Sequence, residues 1–146
     1  MKRFVQVSLI SLFIALFAGC QAGEPDIIGD IEESYISWND ERGQLTIFAR
    51  LLNESSADAN NLTARFEFDH PLLKEQISEE GYVVFSSNGE PIPFSVSGDG
   101  TYFLSESFDI DWEVPIEELA GDVSVTIFDR YGNEIAHFTI EHAIEE

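Results

Sequence analysis

The stretch QLTIFARLLNESSADANNLTARFEFDH (Gln44–His70) decides the fold. In its first part Leu45, Ile47, Ala49 and Leu51 alternate with Thr46, Phe48, Arg50 and Leu52, the period of two that sends one row of side chains to each face of a strand. In its last part Leu62, Ala64, Phe66 and Phe68 face one way, and Thr63, Arg65, Glu67 and Asp69 the other. The residues between, NESSADAN, are a cluster of turn formers. Two such runs must pair, either as neighbours or across a core.

The same period runs outward from this pair. Ile31–Trp38 is expected as a first strand. In LSESFDIDWEVP (Leu104–Pro115), Phe108, Ile110, Trp112 and Val114 face inward. A slip of one residue would bury Asp109, Asp111 and Glu113, so the register is strongly specified and Trp112 is expected as a core anchor. VSVTIFDRYGNEIAHFTIEH (Val123–His142) gives two strands around Asp129–Asn133, with Val123, Val125 and Ile127 set against Ala136, Phe138 and Ile140. Asn88-Gly89 and Gly98-Asp99-Gly100 mark two successive hairpin turns, because such residues adopt positive φ at little cost. Pro91 and Pro93 lack amide hydrogens and belong at a sheet edge or a bend between sheets. Only Pro71–Glu80 and Pro115–Gly121 look helical, the second with proline at its first position and glycine past its end.

Seven or eight strands at this spacing, with one or two short helical turns, give an all-β antiparallel sandwich. In Leu51–Phe68 a strand ends in Asn, a polar turn follows, and the next strand opens on an Asn-aliphatic pair. That order resembles the immunoglobulin-like domains of bacterial surface proteins. The disulfide of antibody domains is ruled out by arithmetic, since the chain has one cysteine.

That cysteine ends a segment of another kind. Met1-Lys2-Arg3 is cationic, and Phe4–Gly19 follows without a charge. A membrane-spanning helix needs about 20 apolar residues; this run is shorter and includes Gln6, Ser8 and Ser11. A cationic start, an apolar stretch and small residues at its end describe a secretory signal. Its close, Phe17-Ala18-Gly19-Cys20, resembles the lipobox of bacterial lipoproteins, with phenylalanine where leucine is usual. The resemblance implies that residues 1–19 are a signal peptide and that Cys20 carries a diacylglyceryl lipid, no other cofactor being expected. Residues 20–27 would then be the lipidated end and tether, and residues 28–146 the sandwich domain. It also implies an extracytoplasmic protein of a bacterial envelope, anchored in the cell membrane, or in the outer membrane where there are two. The chemistry agrees: a thioether removes an otherwise exposed thiol, and two acyl chains anchor stably where one does not.

The chain sets 28 Asp and Glu against seven Lys and Arg. Loss of residues 1–19 removes Lys2 and Arg3 and would leave 127 residues with a net charge of −23. Nucleic acid needs a basic footprint, so no nucleic-acid partner is expected. An anionic bilayer surface is repelled in the same way. Salt screens such repulsion over about 3–10 Å between 1 M and 0.1 M, and a saline or alkaline habitat is the plainest source of the acidity.

Asp109, Asp111 and Glu113 stand at i, i+2 and i+4, on one strand face about 6–7 Å apart. Ca2+ takes 6–8 oxygen ligands, but from loops that wrap it, and a flat face does not. The expectation is a solvated outer face without a metal. His70, His137 and His142 lack the spacing of a helical metal site, and His137 and His142, five apart on one strand, face opposite ways. There is no Gly-x-Ser-x-Gly elbow and no phosphate-cradling glycine loop, and no catalytic residue is expected. Phe48, Arg50 and Leu52 lie opposite the core stripe, where exposed apolar groups can mark a partner surface. The expected function is non-enzymatic binding of an envelope protein or wall component, through loops at a sandwich end or through an edge strand. A small envelope hydrolase working through carboxylates and a Ca2+-binding module are the alternatives.

Overall fold

Along Gln44–Asn53 the alternation is realised residue by residue: Leu45, Ile47, Ala49 and Leu51 are fully buried, and the residues between them are half-buried. The computed structural model describes residues 23–111 and 115–146. Its elements in order are β1 (Ile27–Asn39), β2 (Gln44–Asn53), β3 (Ala59–Phe68), α1 (Pro71–Gln76), β4 (Tyr82–Val84), β5 (Ser86–Ser87), β6 (Glu90–Pro91), β7 (Phe94–Val96), β8 (Thr101–Asp109), a 3-10 turn (Ile116–Leu119), β9 (Val123–Phe128), β10 (Glu134–Ile140) and β11 (His142–Glu145). The expected signal segment, Cys20 and the expected core anchor Trp112, together with Glu113 and Val114, lie outside the described residues.

Two sheets form the sandwich. One has the order β11-β1-β2-β8, and the other β10-β9-β3-β4, with β7 also paired to β3. β1, β2 and β8 opposite β10, β9 and β3 is the immunoglobulin-like arrangement of A, B and E strands against G, F and C. β2 and β3, the two runs of the deciding stretch, therefore meet across the core and not edge to edge. Leu62, Ala64, Phe66 and Phe68 are buried as their alternation requires. The β9–β10 hairpin has the expected register, with Val123 opposite Ile140, Val125 opposite Phe138 and Ile127 opposite Ala136. Trp38 is in the core, and Phe108 meets Phe68 edge-on with ring centroids 5.9 Å apart.

Of four local expectations, three change and the primed turn at Asn88-Gly89 holds. Gly98-Asp99-Gly100 does turn, with Asp99 at φ +54, but it carries the chain from β7 in one sheet to β8 in the other and makes no hairpin. Asn88 and Gly89 adopt φ of 54 and 83 and close a primed turn, though only in the small β5–β6 ribbon that ends at Pro91. His137 and His142 are not on one strand: β10 stops at Ile140, and β11 crosses to the other sheet and runs parallel to β1, with Tyr35 opposite His142. The crossing covers what would otherwise be an open edge of β1. The fourth concerns the acidic triplet, since β8 ends at Asp109. Asp111 lies beyond it, and its backbone is held by the Gln76 side chain, which accepts from the Asp111 amide and donates to the Asp111 carbonyl, both at 2.6 Å. Asp109 and Asp111 therefore do not continue one flat strand face.

Two residues brace the closed end. β1 passes so near β10 that a Cβ on Gly29 would stand 2.1 Å from the Phe138 ring. Asn53, buried at the end of β2, accepts from the amides of Asp26 and Ser55 (both 3.2 Å) and donates to the carbonyls of Ala57 (2.7 Å) and Val96 (3.2 Å).

Candidate functional site

The outer face of the first sheet is built by register. Asp30, Arg50 and Phe103 lie in one cross-strand row, Tyr35, Phe48 and Ser105 in the next, and Ser37, Thr46 and Ser107 in a third. Four residues of β1 loop out between Asp30 and Tyr35 opposite a single residue of β2. Buried Ser34 fixes that bulge: its hydroxyl donates to the Asp30 carbonyl at 2.6 Å and accepts from the Arg50 amide at 2.9 Å. The bulge brings Asp30 to Arg50, Oδ2 to Nη1 at 3.1 Å, and the guanidinium lies 5.6 Å from the Phe103 ring centroid. Tyr35 stacks on Phe48 at 4.7 Å.

Phe48, Arg50 and Leu52 are thus half-buried by their own sheet neighbours. The most exposed apolar side chain of this face is Phe103, at 60 % of its full accessibility, and Ile144, opposite Ser37, is exposed as well. Sequence reasoning missed Phe103, although Thr101, Phe103, Ser105 and Ser107 alternate with Tyr102, Leu104, Glu106 and Phe108 and leave one phenylalanine in the polar row. β8 is also an edge: among the described residues no strand pairs with its side away from β2. Glu106 sits on its core-facing side with Leu104, and burial pushes its carboxyl above the ordinary range. An inward-pointing charge on an edge strand discourages indiscriminate pairing.

At the pole where β2 ends and β3 begins there is a groove of about 620 Å³, lined by Glu24, Pro25, Asp58, Asn60, Arg130 and Tyr131 among others. The β9–β10 turn is held by Asp129, whose Oδ1 accepts from the amides of Tyr131 (2.8 Å) and Asn133 (2.9 Å), and whose Oδ2 accepts from the Asn133 side chain (3.0 Å). These bonds, the Asn133 side chain first, hold its carboxyl below the ordinary range. The turn lifts Tyr131 out to 74 % exposure, with the Arg130 guanidinium 4.7 Å from its ring centroid.

The histidines are separated. His70 caps α1, its Nδ1 accepting from the Leu72 amide at 3.3 Å. His137 is on the second sheet, its Nδ1 2.9 Å from the Thr126 hydroxyl and 3.9 Å from Glu67, while His142 is on the first. Among the described residues no three His, Cys, Asp or Glu side chains gather as metal ligands, and no helix is long and apolar enough to cross a membrane.

No protein-family model matches the chain, and neither does any curated protein. Among solved structures it is similar to the alkylpurine DNA glycosylase AlkC of Pseudomonas fluorescens (14 % identity, TM-score 0.39, 84 % of this chain and 31 % of that one). It is similar also to the ligand binding region of serine-glutamate repeat protein A of Enterococcus faecium (11 %, 0.42, 84 % and 98 %). A third is the GH20 exo-β-N-acetylglucosaminidase of Vibrio harveyi (10 %, 0.40, 84 % and 18 %). The chain thus spans under a third of the first and under a fifth of the last, and likeness at this level says nothing about activity.

Proposed function

We propose that this chain is a non-enzymatic binding lipoprotein of a bacterial cell envelope, anchored through Cys20, that takes an extended segment of an envelope protein along the free edge of β8. The observation that carries the reading is that edge, nine residues long and flanked by the exposed ring of Phe103. An added strand gains affinity from main-chain hydrogen bonds and specificity from alternate side chains. Phe103 offers a surface for one such side chain, and Glu106 favours a segment that brings a cation opposite it.

The test is made in the native cell with the full chain. A photo-reactive phenylalanine analogue at Phe103 should form an adduct with one envelope protein, and the same analogue at Tyr82, on the other sheet, should not. Ser105→Lys, a charge on the edge that leaves the core untouched, should abolish the adduct. Equal adducts at both positions, or an adduct that survives Ser105→Lys, would sink the strand-pairing reading. For the anchor, mass spectrometry of the membrane form should find a diacylglyceryl-cysteine peptide beginning at Cys20, and Cys20→Ala should release the protein or leave uncleaved precursor.

A further inference from the structure

The chain enters the sandwich at one pole and presents its charge at the other. β1 begins opposite the end of β2, Ile27 against Asn53, and segments 54–58, 97–100 and 129–133 all turn at that same end. Glu24 and Pro25, which lead into β1, line the groove there beside Arg130 and Tyr131. Glu24 is four residues on from Cys20, and a fully extended chain covers at most about 3.3–3.6 Å per residue. A lipid on Cys20 would therefore hold the groove within about 14 Å of the headgroups. The far pole lies a strand length away, about 33 Å for ten residues.

We propose that the pole carrying the groove docks on the bilayer surface, with Arg130 meeting the phosphate and Glu24 and Asp58 the ammonium of zwitterionic lipid headgroups. The inference rests on the anchor reading of Cys20. Three observations support the orientation and the headgroup. Tyr131, the exposed side chain at the tip of the turn, has the amphipathic ring that settles at a membrane–water interface. The poles differ in total charge more than in density: segments 40–43, 69–81, 109–111, 115–122 and 141–146, the larger set, toward the far pole, hold 14 of the 28 carboxylates with Arg42 and Lys74, against seven with Arg130 in the smaller set 23–26, 54–58, 97–100 and 129–134. Any anionic lipid in the bilayer therefore repels the far pole more strongly than the near one. The near pole itself still has more carboxylates than cations, which sets it against anionic headgroups and leaves those that carry both charges.

The lipidated full chain is placed in nanodiscs doped with headgroup-nitroxide lipid, and the broadening of its amide resonances is mapped. In discs of phosphatidylethanolamine and phosphatidylcholine, amides 129–133 and 54–58 should broaden, and amides 40–43 and 116–119 should not. Replacement of those lipids by phosphatidylglycerol should reduce the effect at least threefold. Arg130→Ser with Tyr131→Ser should do the same while leaving the resonances of the core unshifted. Broadening equal at both poles, or undiminished by phosphatidylglycerol or by the double variant, overturns the docking and leaves the anchor standing. An unmodified Cys20 in the mass spectrum overturns both.

Discussion

At Asn53 a single side chain joins the entry segment, the β2–β3 loop and β7. Its replacement by alanine leaves two amides and two carbonyls to find other partners in a buried place, where each unmatched group costs about 1–3 kcal/mol. Asn53→Ala should therefore lower the unfolding free energy by at least about 2 kcal/mol in a urea titration, with the slope unchanged. Gly29→Ala tests the neighbouring close approach. The Phe138 ring must move to admit the methyl group, and overpacking of this kind typically costs about 1–3 kcal/mol. Neither role was legible in the sequence. The alternation of Leu45 to Leu51 shows which side chains are inward because burial follows a local period. The bond from Asn53 to the Val96 carbonyl spans 43 residues and leaves no local pattern. His70 was hidden for another reason: histidine is an unusual helix cap, and only the geometry reveals its ring accepting the Leu72 amide.

Between residue and molecule, the element on which the proposed binding rests is β8. Glu106 is the one carboxylate on its core-facing side, and its folded-state pKa lies above the ordinary 4.5. Protonation thus favours the folded state, a contribution fully present below about 4.5 and lost as pH rises through the folded value. Glu106→Gln should raise the melting temperature at pH 7 and flatten its fall as pH rises above 4.5, in scans made from acid to neutral pH. It should also make the edge less discriminating, seen as self-association at high protein concentration. Asp129 acts in the opposite sense. Its pKa is lowered, so its contribution is present above 3.8 and lost as pH falls through the folded value. The β9–β10 pairing was readable down to register because two apolar rows face each other across a short turn. The β10–β11 break was not, since the alternation of Phe138 and Ile140 runs on past Glu141 without a glycine or proline to mark the corner.

For the molecule as a whole, the largest electrostatic effect is self-repulsion, from a formal net charge of −21 in the full sequence. Raising NaCl from 0.1 M to 1 M shortens the screening length from about 10 Å to about 3 Å and should raise the melting temperature steadily. Ca2+ at millimolar concentration should add no more than Mg2+ does at the same ionic strength; a saturable gain for Ca2+ alone would instead reveal a specific site. The class of the fold was legible at this scale because the strands alternate so regularly. Which strands share a sheet depends on pairings across the whole chain, and the parallel β11 is the clearest case. β1 starts at the pole of the β9–β10 turn, while β11, lying beside it in the same direction, leads to Glu146, whose amide bonds the Trp38 carbonyl at 2.9 Å. Tension between those two ends would slide β1 and β11 past one another, so that the bonds from Tyr35–Trp38 to His142–Glu145 share the load at once and do not open singly like a zip. Rupture under force is set by the unfolding rate along the pulled direction. In a single-molecule stretch, the sandwich should yield at higher force when held by its two ends than when held by the ends of the β9–β10 hairpin, which peels.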